Sequence, residues 1–219
     1  MLRALFEKTE DAVYISHLDL MRLFQRAFKR SGLSLTHTQG FNPRPSVSIA
    51  LPLSLGMESA CELLDFVLEG EKIPNDQILS RLNEGLVEGV RVLRVYNDGV
   101  KIKHLAFLDC VVTLEYDAGV PEGAVDSIMA LFSGEAILVE KKGKNGIVEQ
   151  DIRPMIQSLT VEAVNGKELE VRALICCQNP SLNPMQLSAA IEKYLPELAP
   201  DFVRCRRVEI YDTEKNVFR

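Results

Sequence analysis

The chain has 219 residues, 47% hydrophobic and 26% charged, with a net charge of −6, an ordinary soluble balance for one large or two small domains. No apolar run approaches the roughly 20 residues a membrane span needs, and the start, MLRALFEKTED, has no h-region or small-residue cleavage site, so neither a signal peptide nor a membrane is expected and a cytoplasmic location is. The five cysteines (Cys61, Cys110, Cys176, Cys177, Cys205) include no C-x-x-C pair and no C-x3-C-x2-C run, and only three histidines are present; reduced, mostly buried thiols are expected, with no zinc, no iron–sulfur cluster and no other metal in this chain.

Residues 1–15 alternate loosely and read as a strand, with a turn at Thr9-Glu10-Asp11. Ser16 is placed to N-cap a helix, with Asp19 in the first turn. Leu20, Met21, Phe24, Ala27 and Phe28 form its inward stripe, while Arg22, Arg26, Lys29 and Arg30 form a basic stripe opposite. Gly32 is the expected stop. Strands follow at 46–51, ended by Pro52, and at 61–68; then a helix at 75–86 and a strand at 89–96. The order is β-α-β-β-α-β, the split plan of the ferredoxin-like fold.

The second half repeats that order. Strands are expected at 108–116, 136–141, 147–151, 155–163, 168–177 and 202–211, and helices at 121–132 and 183–194. Asn183 before Pro184 reads as a helix start, Asn165-Gly166 as a hairpin turn, and 142–146 as another. The fold class expected is therefore α+β: two tandem ferredoxin-like halves with mainly antiparallel sheets. The expected domains are 1–104 and 105–219, the latter with an inserted hairpin. The halves share no residue-level identity.

Charge is uneven. Residues 1–104 hold 13 basic and 13 acidic side chains, and residues 105–219 hold 12 and 18. Between His17 and Pro45 five basic residues (Arg22, Arg26, Lys29, Arg30, Arg44) face one acidic residue, Asp19. A local patch of this kind can attract an anionic partner even in an acidic protein.

The loop Thr38-Gln39-Gly40-Phe41-Asn42-Pro43-Arg44-Pro45 carries more Gly, Pro, Asn and Arg than a connection requires. Gln39, Asn42 and Arg44 supply donors, Phe41 a stacking face and Gly40 close backbone approach, which suits a nucleotide or RNA strand. The competing reading is a rigid crossover with Phe41 plugging the core. The basic stripe is either a phosphate-binding face or a solvated one. His17 with Asp19 is a candidate for acid–base chemistry or metal binding, against a local capping arrangement, and His37 is a possible partner across the loop. Asp151 and Arg153, two apart in a strand, either pair with each other or present Arg153 to a ligand. Arg204, Arg206 and Arg207 make a basic edge strand.

The segments YISHLDLMRLFQRAFKRSGL, QGFNPRPSVSIALPLSLGMES, DIRPMIQSL and NPSLNPMQL resemble the radical SAM-linked (radical SAM-associated) protein family, a bacterial domain of unknown function, and the resemblance covers nearly the whole chain. In that family the domain occurs alone or fused behind a radical S-adenosylmethionine protein with a cobalamin-type domain. Its genes often neighbour an E/G-type ribonuclease and ribosomal proteins. The resemblance implies a radical SAM enzyme as partner, with any S-adenosylmethionine, iron–sulfur cluster and cobalamin held by that partner, and a role near tRNA or rRNA. It carries no catalytic residues over. The tandem plan also looks like that of CRISPR repeat-processing endoribonucleases, a likeness of fold alone.

Three functions follow. The leading expectation is an RNA-facing accessory module without catalytic activity of its own, its surface formed by His17, Arg22, Arg26, Gln39, Gly40, Phe41, Asn42, Arg44, Asp151 and Arg153. The second is a metal-independent ribonuclease or RNA-modifying enzyme with His17 as general base. The third is a structural partner of the radical enzyme that binds no nucleic acid.

Overall fold

A computed structural model describes residues 1–143 and 146–219, which form two units: Met1–His104 with Phe218–Arg219, and Leu105–Val217. Both are α+β, with antiparallel strand pairing and two helices each.

In the first unit, β1 (Leu2–Lys8) is followed by a 3-10 turn, Glu10–Tyr14, and by α1 (His17–Arg30). Helix α1 forms because its ends are satisfied locally. Ser16 Oγ accepts from Asp19 N at 3.2 Å, which removes one orphan amide. At the other end Gly32 sits at φ +69, and Leu33 N reaches back to Phe28 O at 3.0 Å, a Schellman closure that a β-carbon at Gly32 would strain. Strands β2 (Val47–Ala50) and β3 (Met57–Phe66), helix α2 (Asn75–Glu84) and β4 (Val90–Asn97) complete the unit. The strand order is β4-β1-β3-β2, every neighbour antiparallel.

Leu20, Phe24, Ala27 and Phe28 of α1 and Ile78 and Leu82 of α2 are buried with Ala4, Phe6, Leu64 and Phe66 in one core. Phe6 meets Phe24 edge-on at 4.8 Å, and Phe28 lies 4.9 Å from Phe66. Each such ring stabilises the unit by roughly 1.5–3 kcal/mol through burial. Strand β3 begins four residues before the expected 61. Glu58 and Ser59 look loop-like in sequence, but pairing of Ser59 with Lys8 across the sheet extends the strand.

Four ionisable side chains, Arg3, Lys8, Glu62 and Asp65, are buried within this unit. Arg3 donates bidentately to Asp65 at 2.6 and 2.9 Å and to Val100 O at 2.8 Å, and its guanidinium lies 5.5 Å from the Phe218 ring. The segment after the last strand thus returns Phe218 to a buried position in the first unit. Lys8 Nζ caps the 3-10 turn, donating to Val13 O and Ile15 O at 3.0 and 2.9 Å; burial lowers its proton affinity.

In the second unit, β5 (Leu105–Glu115), α3 (Ala124–Phe132), β6 (Leu138–Gly143), β7 (Gly146–Asp151), β8 (Ile156–Asn165), β9 (Glu168–Cys176), α4 (Met185–Tyr194) and β10 (Phe202–Asp212) follow in chain order. The sheet order is β10-β5-β9-β8, while β6 and β7 pair with each other in a separate two-stranded sheet. Helix α3 packs on β8 and α4 on β5 and β6. The expected turn at 142–146 includes residues 144 and 145, which lie outside the described residues. Asn165 Oδ1 accepts from Lys167 N in the β8–β9 turn, and Asn183 Oδ1 accepts from Met185 N at the start of α4, both local side-chain caps.

Among the described residues, no helix is long and apolar enough to cross a membrane.

Candidate functional site

The amphipathic pattern of α1 leaves one stripe outside the core, and the chain folds back beside it. After Gly32 the segment through Thr36 runs beside the residues that follow β3: Leu35 bridges Leu68, and Thr36 N donates to Val67 O at 2.9 Å. Between α1 and this segment lies a pocket of about 510 Å³. Arg22, Gln25, Arg26 and Lys29 form the helix wall, spaced at i, i+3, i+4 and i+7. Phe28, Leu33, Leu35 and Pro45 supply apolar lining; Ser34, His37 and Glu69 complete the rim.

The residues after His37 form a narrow hairpin. His37 bridges Pro45, Thr38 N donates to Arg44 O at 2.8 Å, and Arg44 N donates to Thr38 Oγ1 at 3.0 Å. The tip, 39–43, is exposed throughout, and Gly40 turns it at φ +137. Phe41 has a relative exposure of 106%, so it does not plug the core. The hairpin's base, His37 and Pro45, is also part of the pocket wall, so finger and pocket are contiguous.

The electrostatics of the stripe are divided. Arg22 Nη1 donates to Asp19 Oδ1 at 2.9 Å, both side chains well exposed. Hydrogen bonds from Ser16 and then Arg22 hold the Asp19 carboxyl below its ordinary proton affinity. Arg30 turns away to Gly85 O at 2.7 Å and does not line the pocket. Arg26, Lys29 and Arg44 make no side-chain hydrogen bond among the described residues.

The structure brings together Arg22, Arg26 and His37 at the pocket, with Gln39, Gly40, Phe41, Asn42 and Arg44 on the adjoining finger. His17 and Asp19 lie one turn toward the helix start and do not line it. Asp151 and Arg153 belong to the second unit and do not pair through their side chains. Asp151 ends β7, and its Oδ1 accepts from Ile137 N and Arg153 N at 2.9 and 3.0 Å. Arg153 sits in a 3-10 turn, not a strand, and its guanidinium donates to Gly134 O and Ile156 O at 3.2 and 3.3 Å. Both residues hold that turn together, because the chain leaves the strand exactly where the same-face geometry was expected to continue. In the last strand Arg204 bridges Glu115 and Glu168 and Arg207 is buried, so the three arginines do not form the expected basic edge.

Sequence reading missed Gln25 and Glu69. Gln25 is legible at i+3 from Arg22; Glu69 carries no local signal, since only the Glu69 N to Ser34 O bond of 2.8 Å brings it to the rim. Among the described residues no group of three or more His, Cys, Asp or Glu side chains is placed to hold a metal ion.

Fold and site together define an α+β protein with a basic pocket beside an aromatic-tipped finger. The chain belongs to a family described as an uncharacterized protein conserved in bacteria (DUF2344), whose profile matches residues 1–184. No curated protein matches it. Among solved structures, a chain from the crystal structure of a Cbf5-Nop10-Gar1 complex is 10% identical at a TM-score of 0.49, the match covering 94% of this chain and 48% of that one, so this chain spans about half its length. An unknown protein from Galdieria sulphuraria is 14% identical at a TM-score of 0.26, covering 94% and 97%.

Proposed function

We propose that this protein is an RNA-facing accessory module, acting beside a radical SAM enzyme in tRNA or rRNA modification or maturation, and that each unit follows the ferredoxin-like plan. One observation carries the RNA reading: a fully exposed phenylalanine tops a hairpin whose base forms the wall of a pocket lined by three cations. An exposed aromatic side chain has no packing role, whereas base stacking on such a ring contributes about 1–3 kcal/mol per base. Cations at i, i+4 and i+7 share one helix face, and phosphates neutralised by them release counterions on binding. The strand orders β4-β1-β3-β2 and β10-β5-β9-β8, with β6–β7 as the inserted hairpin, support the fold reading. The radical SAM association rests on the sequence resemblance alone. The ribonuclease reading with His17 as base draws no support from the pocket, which His17 does not line.

The test is retention of total cellular RNA on the purified protein over a salt series, with sequencing of what is retained. A defined RNA, lost with Arg44→Ala and Arg26→Ala while the fold is intact, supports the reading. No retention at low salt refutes it, and co-purification with the radical enzyme then becomes the deciding measurement.

A further inference from the structure

We infer that the pocket on α1 receives a single unpaired guanosine nucleotide of the RNA strand, with Glu69 reading the base; this rests on the RNA-facing reading above. The pocket's size of about 510 Å³ falls in the range of small-ligand sites, roughly 300–1,000 Å³, and suits one nucleotide lifted out of a strand. Its polarity is two-ended. Arg22, Arg26 and Lys29 come from the helix, while the chain opposite contributes the exposed acidic residue Glu69. A simple anion meets that carboxylate at a cost. An occupant that carries a phosphate at one end and N–H donors at the other satisfies both ends.

Among the bases, guanine fits best. Its Watson–Crick edge presents N1–H and N2–H side by side, matching the two oxygens of one carboxylate. Adenine and cytosine each present one amine beside a bare acceptor, and uracil presents one N–H between two carbonyls that repel the carboxylate. Unpaired RNA bases are read on this edge. Leu33, Leu35 and Pro45 give the ring an apolar bed, and Phe41 on the adjoining finger is placed for the next base in the strand. Arg22 is held only by an exposed pair with Asp19, which exchanges for a phosphate at little cost.

The experiment is fluorescence anisotropy with the full chain and four labelled RNA octamers: oligouridine, and the same strand with one central G, A or C. The G strand binds roughly tenfold tighter than oligouridine, within the roughly five- to 150-fold range by which a bidentate base contact discriminates. Glu69→Gln and Glu69→Ala each remove the preference, bringing the G strand to the affinity of the other three; unchanged melting temperatures confirm the fold. Equal affinity for all four strands overturns the guanine pocket but leaves the RNA-facing reading standing. No binding to any strand at about 50 mM salt overturns both. A guanine preference that survives in Glu69→Gln overturns the role of Glu69.

Discussion

Replacing Phe41 with alanine separates function from packing. At 106% relative exposure the ring buries no surface, so its removal changes stability by less than about 0.5 kcal/mol. For a chain of 219 residues that corresponds to a melting shift of under roughly 2 °C. If the ring stacks on a base, the same change removes about 1–3 kcal/mol of binding. At about 1.4 kcal/mol per tenfold, the dissociation constant rises roughly five- to 140-fold. The assay is anisotropy with a short single-stranded RNA, paired with a thermal melt. Phe24→Ala serves as the contrast: that ring is fully buried against Phe6, and its loss costs about 3–5 kcal/mol of stability. Unchanged RNA affinity in Phe41→Ala refutes the stacking role. A melting drop approaching that of Phe24→Ala refutes the premise that the finger stands free.

Arg26→Ala and Lys29→Ala each lower the slope of log affinity against log salt by about 0.7 for single-stranded RNA, one phosphate contact apiece; an unchanged slope removes the stripe from the interface. Asp65→Ala leaves the Arg3 guanidinium buried without its carboxylate partner, and urea unfolding is expected to show a loss of about 3–5 kcal/mol. A loss below about 1 kcal/mol contradicts that account. Burial pushes the Cys177 and Cys205 thiols up to about 12 and Cys110 up as well. The folded state holds these protons while the unfolded chain releases them near 8.5, so stability is intact below that pH and falls as pH rises toward about 12. Urea midpoints measured on either side of that threshold check the sign. In native alkylation at mild pH, the half-buried Cys176 reacts first.

What the sequence determined by itself is local. The cap at Ser16, the Gly32 stop, the two opposed stripes of α1 and the presence of a tight turn just after Asn165 depend on residues within a few positions of one another, so spacing and residue type reveal them. Arg22, Arg26, Phe41 and Arg44 were legible as candidates for the same reason. What only the tertiary structure decided is whether such residues meet. Glu69 reaches the pocket through a backbone bond to Ser34, and Phe218 returns to Arg3 from the far end of the chain. Arg3 itself, a cation in a strand, becomes buried because Asp65 stands across the sheet from it in register. Asp151 and Arg153 part company because the chain turns at Ile152 and their polar groups satisfy local backbone instead. Pairings over such separations are set by the total burial and hydrogen bonding of the folded chain, to which no window of sequence has access.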